Sequence, residues 1–247
     1  MAGSGKEWFE EWFESPYYDL LYAKRNEEEA ALFLDNLLNF LNLPTDARIL
    51  DLACGKGRHS IYLNKKGFNV TGLDLSERSI AYAKTFQNNS LRFLEQDMRV
   101  PLNSKFNLIV NLFTSFGYFD LEEENLRVIK SIKSMMEPEG IFIIDYLNGQ
   151  KIPTDLNCSD SKEFSCGLFK IHKTIQKGFI IKKIEILNDS ESINFTEKVR
   201  LYNCTDFVDM FKKVGLEILS IFGDYNLNKF DPVNSERMIY VTKIASA

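Results

Sequence analysis

Apolar and polar positions along the chain switch between short, nearly continuous apolar runs and longer stretches with helical spacing. The apolar runs predict five buried strands, at residues 49–53, 69–74, 91–94, 106–112 and 140–146. The helical spacing predicts helices at residues 26–43, 56–66, 77–87, 121–136 and 206–214. Strands that alternate with helices in this way are typical of a doubly wound α/β fold with a parallel sheet.

Two kinds of local signal refine the helices. Side chains that can cap a helix N-terminus stand before four of them: Asn26, Ser76, Asp120 and Thr205. The N-terminal region predicts one further amphipathic helix, whose apolar stripe consists of Trp8, Phe9, Trp12 and Phe13.

The pattern changes after residue 150. Residues 151–160 predict a polar linker, and the alternation of apolar and polar residues over 163–202 predicts three antiparallel strands. After the last helix, residues 216–222 and 237–244 predict two final strands. The antiparallel part is therefore an insert in an otherwise doubly wound fold.

Composition narrows the class of protein. The chain has 247 residues, enough for one sizeable α/β domain with a smaller insert. Its net charge of −5 argues against nucleic acid as the main partner. Four cysteines without a Cys-x-x-Cys pair and only two histidines argue against a zinc site. The sequence shows no secretory or membrane-spanning segment, so we expect a cytoplasmic protein with reduced thiols and no membrane association.

The first strand leads into the most informative stretch, Asp-Leu-Ala-Cys-Gly-Lys-Gly at residues 51–57. Strand, glycine turn and helix form the first βα unit of nucleotide-binding folds, although two glycines alone also fit any tight turn. Gly55 and Gly57 would let the backbone approach a ligand closely. Asp51 is a charge inside an apolar strand, and Asp74 ends the second strand at a spacing that suits ribose hydroxyls.

Leu-Asp-Leu-Ala-Cys-Gly-Lys-Gly, followed by Val-Thr-Gly-Leu-Asp-Leu-Ser, resembles class I S-adenosylmethionine-dependent methyltransferases over roughly residues 45–150. The family usually has a glycine where this chain has Ala53. The resemblance implies a Rossmann-like, seven-stranded, mostly parallel sheet, completed by the last helix and the final strand pair. It also implies S-adenosylmethionine as cofactor, S-adenosylhomocysteine as product and a small-molecule acceptor.

The resemblance implies roles for particular residues. Asp97 would accept a hydrogen bond from the exocyclic amine of adenine, and the Met98 N–H would meet a ring nitrogen. Tyr22 or Arg25 would meet the methionine carboxylate, although both equally fit a surface turn. The full set of expected cofactor-binding residues is Tyr22, Arg25, Asp51, Ala53, Gly55, Gly57, Asp74, Leu75, Asp97, Met98 and Asn111.

The acceptor side is less defined by the sequence. Residues 114–118 follow the fourth strand and would face the sulfonium and the acceptor. Residues 111–114 lack the Pro-Pro pair of enzymes that methylate exocyclic base amines, which argues against such a substrate. An amine acceptor needs no strong base, whereas an alcohol or phenol does. The sequence does not choose among the candidate bases, which are His59, Tyr118, Tyr146 and His172.

We expect four regions: an N-terminal helical lid segment (1–43), the cofactor-binding core (44–150), the antiparallel insert (151–203) and the C-terminal completion of the core (204–247). The insert would cover the substrate, with His172 and Arg200 as polar contacts, or serve as a dimerisation or structural sheet. A monomer and a homodimer both fit. Two other functions stay open at this point: an NAD-dependent oxidoreductase and a non-catalytic S-adenosylmethionine-binding protein.

Overall fold

The computed structural model describes residues 7–23, 27–188 and 191–246. The helices in these ranges are α1 (Trp8–Glu14), α2 (Pro16–Tyr22), α3 (Glu27–Leu41), α4 (Arg58–Lys65), α5 (Glu77–Lys84), α6 (Glu122–Met135) and α7 (Cys204–Val214). The strands are β1 (Arg48–Leu52), β2 (Asn69–Asp74), β3 (Leu91–Glu95), β4 (Phe106–Asn111), β5 (Met136–Leu147), β6 (Asn157–Phe164), β7 (Gly167–Gln176), β8 (Phe179–Leu187), β9 (Ser192–Arg200), β10 (Leu216–Phe222) and β11 (Arg237–Ile244). Asn26, a predicted cap, lies outside the described residues.

The chain forms two compact units. The core unit lies within 26–151 and 202–247 and contains α3 to α7, β1 to β5, β10 and β11. The accessory unit combines residues 7–23 with Ile152–Leu201 and contains α1, α2 and β6 to β9. Two segments far apart in sequence thus share one unit.

The core unit is built on a seven-stranded sheet in the order β10-β11-β5-β4-β1-β2-β3. The five strands β1 to β5 pair in parallel with their neighbours in this group, and β11 pairs antiparallel with both β5 and β10. This order confirms the predicted Rossmann-like fold. The strand order reverses between β1 and β4, so a ligand crevice is expected outside their carboxyl ends.

Apolar packing explains why the core strands are nearly continuous apolar runs. Ile49, Leu108 and Ile143, from three neighbouring strands, are at most 2% exposed because helices cover the sheet. Phe33 and Leu37 of α3 join the same cluster, which confirms the structural role predicted for that helix. The carboxyl ends of the strands are thereby held in fixed positions.

The accessory unit differs from the prediction in strand number. Its sheet has four antiparallel strands, in the order β6-β7-β8-β9, instead of three. The additional strand β6 is almost entirely exposed and polar, so its sequence resembles a linker. It forms a strand because its backbone pairs with β7 along its whole length. Backbone pairing of an exposed edge requires no apolar pattern.

The predicted single N-terminal helix is two helices, α1 and α2. Ser15 ends α1 and caps α2, since its Oγ accepts a hydrogen bond from Tyr17 N at 3.2 Å. Pro16 occupies the first helical position, where no N–H is needed. Trp12 of α1 and Leu21 of α2 pack in one apolar cluster with Phe169 of the sheet and its apolar neighbours.

Two predicted helix caps are wrong. The residue before α6 is Leu121, which makes no side-chain cap, rather than Asp120. The cap of α7 is Asn203, not Thr205. Asn203 Oδ1 accepts from Asp206 N at 3.1 Å while Asp206 accepts from Asn203 N, so the pair satisfies two free N–H groups reciprocally.

Candidate functional site

The loop between β1 and α4 has an unusual backbone. Ala53, Gly55 and Gly57 all adopt left-handed conformations, with φ of 62°, 54° and 80°. A Cβ on Gly57 would lie 2.5 Å from the ring of Phe93, so only glycine fits there. Ala53 stands where the family has glycine, and a left-handed alanine costs about 1–2 kcal/mol. The chain therefore keeps the loop conformation at an energetic cost.

Asp74, at the end of β2, holds this loop. Its Oδ2 accepts a hydrogen bond from Gly55 N at 2.7 Å, and its Oδ1 accepts from Ser76 N at 2.9 Å. Ser76 in turn caps α5 through Ser79 N, as predicted. Binding of ribose by Asp74 remains a prediction, and the structure adds a role in fixing the loop.

Asp51 is buried within β1 and is only 1% exposed. Its Oδ2 accepts a hydrogen bond from Ser60 Oγ of α4 at 2.6 Å. The pKa of Asp51 is raised to about 6, chiefly by burial and also by the charge of Asp74, against the hydrogen bonds from Ser60 and the charge of Arg58. The charge of Arg58 compensates the buried acid only in part, and a cationic ligand would add to that compensation.

Asp97, after β3, lies in a network of charged groups. Arg99 donates to both of its oxygens, through Nε at 2.9 and 3.0 Å and through Nη2 at 2.5 Å. Burial opposes ionisation of Asp97, but the hydrogen bonds from Arg99 outweigh it and lower its pKa. Met98, between Asp97 and Arg99 in sequence, is half-buried. Leu75, which follows β2, is 36% exposed. The prediction did not include Arg99, although the Asp-x-Arg spacing could have indicated it.

Asn111 lies at the point where the strand order reverses. Its Nδ2 donates to Leu52 O of β1 at 3.1 Å and to Ser115 O after β4 at 2.9 Å. Its Oδ1 is buried and has no hydrogen-bond partner among the described residues. An unsatisfied buried acceptor costs about 1–3 kcal/mol, which a ligand N–H would recover.

The loop after β4 is also strained. Phe113 and Thr114 have φ of 57° and 63°, an unfavourable conformation for residues with a branched or bulky side chain. Asp145 of β5 holds both: its Oδ2 accepts from Phe113 N at 2.8 Å, and its carbonyl accepts from Thr114 N at 3.0 Å. The loop that faces the predicted acceptor side is thus fixed by a buried acid.

Asp145 is itself part of a buried ion pair that the sequence analysis missed. Arg237 Nε donates to its Oδ1 at 2.7 Å, and Tyr225 Oη donates to its Oδ2 at 3.2 Å. Arg237 Nη2 also donates to Thr114 Oγ1 at 3.0 Å. Burial opposes the charge of Arg237, but Asp145 outweighs it and raises its pKa. The partners lie 80 and 92 residues from Asp145, so local patterns give no sign of them.

His59, a candidate base, has its Nε2 engaged. Arg58 Nη2 lies 3.0 Å from His59 Nε2. Because a guanidinium can only donate, His59 Nε2 carries no proton and its lone pair accepts this bond. The imidazole also stacks on Phe113, with ring centroids 5.0 Å apart and planes 9° apart. His59 therefore packs against the strained loop, and the lone pair of its basic Nε2 is engaged by Arg58.

The two tyrosine candidates in the core unit are engaged or buried. Tyr118 Oη donates to Thr114 O at 3.1 Å. Tyr146 is 0% exposed and packs its ring against Tyr202 and Phe207. Its burial favours a structural role.

The remaining candidates belong to the accessory unit. Tyr22 Oη donates to Glu197 Oε2 at 2.6 Å and also accepts from Lys182 Nζ. His172 Nδ1 lies 2.9 Å from Ser159 Oγ, and Arg200 lies over the Phe179 ring. Arg25 lies outside the described residues. The proposed contacts of these side chains with cofactor or substrate stay predictions.

Two features are absent from the described residues. No group of three or more His, Cys, Asp or Glu side chains in the described ranges is arranged to hold a metal ion. None of the helices in the same ranges combines the length and apolar character that crossing a membrane requires.

Known proteins similar to the chain are methyltransferases. A family model described as a methyltransferase domain matches residues 44–194. The putative methyltransferase YqeM of Bacillus subtilis (strain 168) is 29% identical over 210 residues, which cover 81% of this chain and 85% of that protein. The dTDP-3-amino-3,4,6-trideoxy-alpha-D-glucopyranose N,N-dimethyltransferase of Streptomyces venezuelae is 33% identical over 131 residues, about half of each chain (52% and 54%).

Among solved structures, an S-adenosylmethionine-dependent methyltransferase from Clostridium acetobutylicum ATCC 824 superposes with a TM-score of 0.77. It is 24% identical, and the match covers 93% of this chain and 96% of that one, so it establishes a shared fold. The oxidoreductase and non-catalytic alternatives receive no support from these relatives. S-adenosylmethionine is the cofactor and S-adenosylhomocysteine the product. The family match, which spans more than half of the chain, together with this fold, places the chain in the class I S-adenosylmethionine-dependent methyltransferases.

Proposed function

We propose that this enzyme transfers the methyl group of S-adenosylmethionine to the nitrogen of a small-molecule amine. The proposal rests on the candidate bases in the described part of the core unit, each of which is hydrogen-bonded or buried. His59 Nε2 accepts from Arg58, Tyr118 donates to a backbone carbonyl, and Tyr146 is buried. An unprotonated amine already has a nucleophilic lone pair, so its methylation needs positioning rather than a strong base.

The residues at the carboxyl edge of the sheet fit a cationic cofactor. S-adenosylmethionine supplies a methyl group activated by a sulfonium, and it also carries an ammonium group. Asp51 and Asp74 provide negative charge close to the glycine loop, and Ser60 and Arg58 compensate the buried charge of Asp51 only in part. Asn111 Oδ1 offers a buried acceptor for an N–H group. Acidic groups and a spare acceptor suit this ligand better than the anionic pyrophosphate of NAD.

Within this proposal each predicted cofactor residue has a task. Gly55 and Gly57 let the loop approach the methionine moiety, Asp74 accepts from the ribose, and Asp97 with Met98 holds adenine. Ala53 and Leu75 border the same loop and strand end. Tyr22 and Arg25 remain proposed contacts of the methionine carboxylate.

The acceptor class is supported from two directions. The Streptomyces venezuelae relative is named for N,N-dimethylation of an amino sugar linked to a nucleotide. The chain carries a net charge of −5 and lacks the Pro-Pro pair of base-amine methyltransferases, which favours a small molecule over nucleic acid.

The accessory unit is the proposed acceptor cover. Its four-stranded sheet and its two helices, α1 and α2, form one compact unit, so residues 7–23 of the predicted lid segment (1–43) would act together with the insert, whereas α3 belongs to the core unit. We also propose a cytoplasmic location, because all four cysteines are free thiols.

Acceptor pairs that differ only in an amino or a hydroxyl group test the proposed reaction. The purified enzyme receives S-adenosylmethionine and such pairs, including an amino-sugar nucleotide and its hydroxy counterpart. We expect N-methylated product from the amine member alone, detected by mass spectrometry.

The His59→Gln variant is the matched control for base catalysis. It should keep turnover within about tenfold, because loss of a true general base costs about 10²–10⁴-fold. Methylation of the hydroxyl member, or loss of turnover beyond about a hundredfold in His59→Gln, would contradict an amine acceptor.

A further inference from the structure

We propose that Arg99 is a positioning residue for adenine, which orients the Asp97 carboxylate so that one acceptor position faces the exocyclic amine. The inference rests on the proposed adenine contact of Asp97 and deepens it. Arg99 would act through Asp97 and would not itself touch the cofactor.

The hydrogen bonds of Asp97 leave little freedom. Arg99 N donates to Asp97 Oδ1 at 2.8 Å, and the Arg99 guanidinium donates to both oxygens through Nε and Nη2. A carboxylate has about four lone-pair positions, and three protons of Arg99 reach them, the Nε proton being shared between Oδ1 and Oδ2. Because three protons meet four lone pairs, the carboxylate can accept one more, and one N–H of an exocyclic amine can supply it.

Arg99 is in turn held from two further sides. Its Nη1 donates to Glu124 Oε2 of α6 at 2.7 Å. Its guanidinium lies over the ring of Phe119, with Cζ 4.4 Å from the ring centroid. A planar guanidinium that is stacked and bonded in this way keeps a single orientation, and a lysine could not reproduce it. Asp97 therefore has a fixed orientation before any ligand arrives.

The pair also differs from an ordinary surface ion pair. The side chains of Arg99 and Asp97 are only 23% and 24% exposed, and the contact is bidentate. Exposed pairs such as Arg127 with Glu124, at 4.0 Å, have neither property and contribute little. The alternative is that Arg99 only stabilises the turn after β3. That role predicts equal loss of affinity for every ligand of the site.

The test compares S-adenosylhomocysteine with S-inosylhomocysteine, in which a carbonyl oxygen replaces the exocyclic amine. Dissociation constants are measured by calorimetry for the wild type, Arg99→Met and Arg99→Lys. The wild type should prefer S-adenosylhomocysteine by about a hundredfold or more, because the carbonyl leaves the Asp97 acceptor unsatisfied and repelled.

Arg99→Met should weaken the binding of S-adenosylhomocysteine about 10- to 30-fold and leave the binding of S-inosylhomocysteine almost unchanged. The preference for S-adenosylhomocysteine then falls to about tenfold or less. The preference of Arg99→Lys should lie between those of the wild type and Arg99→Met. Arg48→Met is the matched control. Arg48 pairs with Glu137 at 2.5 Å and is the first residue of β1, so it lies at the amino end of a strand and not at the carboxyl ends. Its preference should equal that of the wild type.

If Arg99→Met does not fold, Glu124→Gln replaces it, and a fall in preference of about threefold is expected because the Nη1 anchor loses its charge. An unchanged preference in the folded variants would overturn the inference, even if both affinities fall together. A wild type that binds both ligands equally would refute the adenine role of Asp97 and the inference with it. A wild type that binds neither would instead refute the proposed cofactor site.

Discussion

The core unit and the accessory unit use carboxylates for different purposes. In the core unit, Asp74 and Asp145 accept hydrogen bonds from backbone N–H groups of left-handed loops, at Gly55 and Phe113. In the accessory unit, Glu197 accepts from side chains, chiefly Trp12 Nε1 at 3.1 Å and Tyr22 Oη. The core acids fix backbone where a ligand must be approached, whereas Glu197 fastens helices to a sheet. The difference separates acids that fix loop backbone from an acid that anchors helices.

The stability of the two units can be followed separately, because the tryptophans lie in only one of them. The chain has two tryptophans, Trp8 and Trp12, and both belong to the accessory unit. Tryptophan emission therefore reports the accessory unit, and far-ultraviolet circular dichroism reports both units. The predictions below use the two signals together.

The largest effect is expected for Asp145→Ala. Removal of this acid leaves Arg237 buried without its partner and releases Phe113 N, so unfolding free energy should fall by about 3–5 kcal/mol. Chemical denaturation followed by circular dichroism measures it. Asp46→Ala, at an exposed loop position, is the control and should change little. The double variant Asp145→Ala with Arg237→Met should recover part of the loss, and failure to recover would show that the ion pair is not the cause.

The next effect is a pH dependence from Asp51. Its folded pKa of about 6 lies above the ordinary value of 3.8, so the folded protein binds the proton more tightly than the unfolded chain. The Asp51 contribution to stability therefore falls as pH rises from about 4 to about 6, on the order of 2–3 kcal/mol in total. Asp51→Asn should remove this slope and become relatively more stable at neutral pH. Parallel stability curves for the two proteins across this range would contradict a raised pKa.

A smaller loss is expected for Glu197→Ala in the accessory unit. Trp12 Nε1 and Tyr22 Oη lose their acceptor and Lys182 loses its counter-charge, so the loss should be about 1–3 kcal/mol. Tryptophan emission should shift and its unfolding midpoint should fall. Glu185→Ala is the control, because its pair with Lys170 is exposed and 4.0 Å long, worth about 0.5 kcal/mol or less. Affinity for S-adenosylhomocysteine that falls as strongly as stability would argue against a purely anchoring role.

The smallest effect is a gain. Ala53→Gly relieves the left-handed strain and should stabilise the core unit by about 0.5–1 kcal/mol, once the greater freedom of glycine in the unfolded chain is subtracted. Ala31→Gly in α3 is the matched substitution and should destabilise by about 1 kcal/mol. Equal signs for the two variants would show that Ala53 is unstrained.

Local patterns predicted most of the core unit and less of the accessory unit. The apolar runs of β1 and β4 and the glycines of the first loop depend on neighbouring residues, so the sequence reveals them. β6 was missed because an exposed edge strand needs only backbone pairing with β7. The predicted cap Thr205 failed because Asn203 and Asp206 form a reciprocal pair that a single-residue signal does not show.

The candidate site shows the same division. Asp51, Asp74 and Asp97 follow from position in strands, but their partners do not. Arg237 reaches Asp145 from 92 residues away, and only tertiary structure brings them together. The engagement of His59 by Arg58 is likewise a matter of side-chain orientation, which sequence spacing leaves open.

Thermal unfolding with S-adenosylhomocysteine, S-adenosylmethionine and NADH in parallel tests the central claim that the acidic edge of the core sheet binds the cofactor. At about 100 times the dissociation constant, binding should add roughly 2.7 kcal/mol to the stability of the folded protein. We predict an upward shift of the circular dichroism midpoint with the two sulfur compounds, a smaller shift in Asp74→Ala and none with NADH. A shift with NADH alone, or an undiminished shift in Asp74→Ala, would contradict this account.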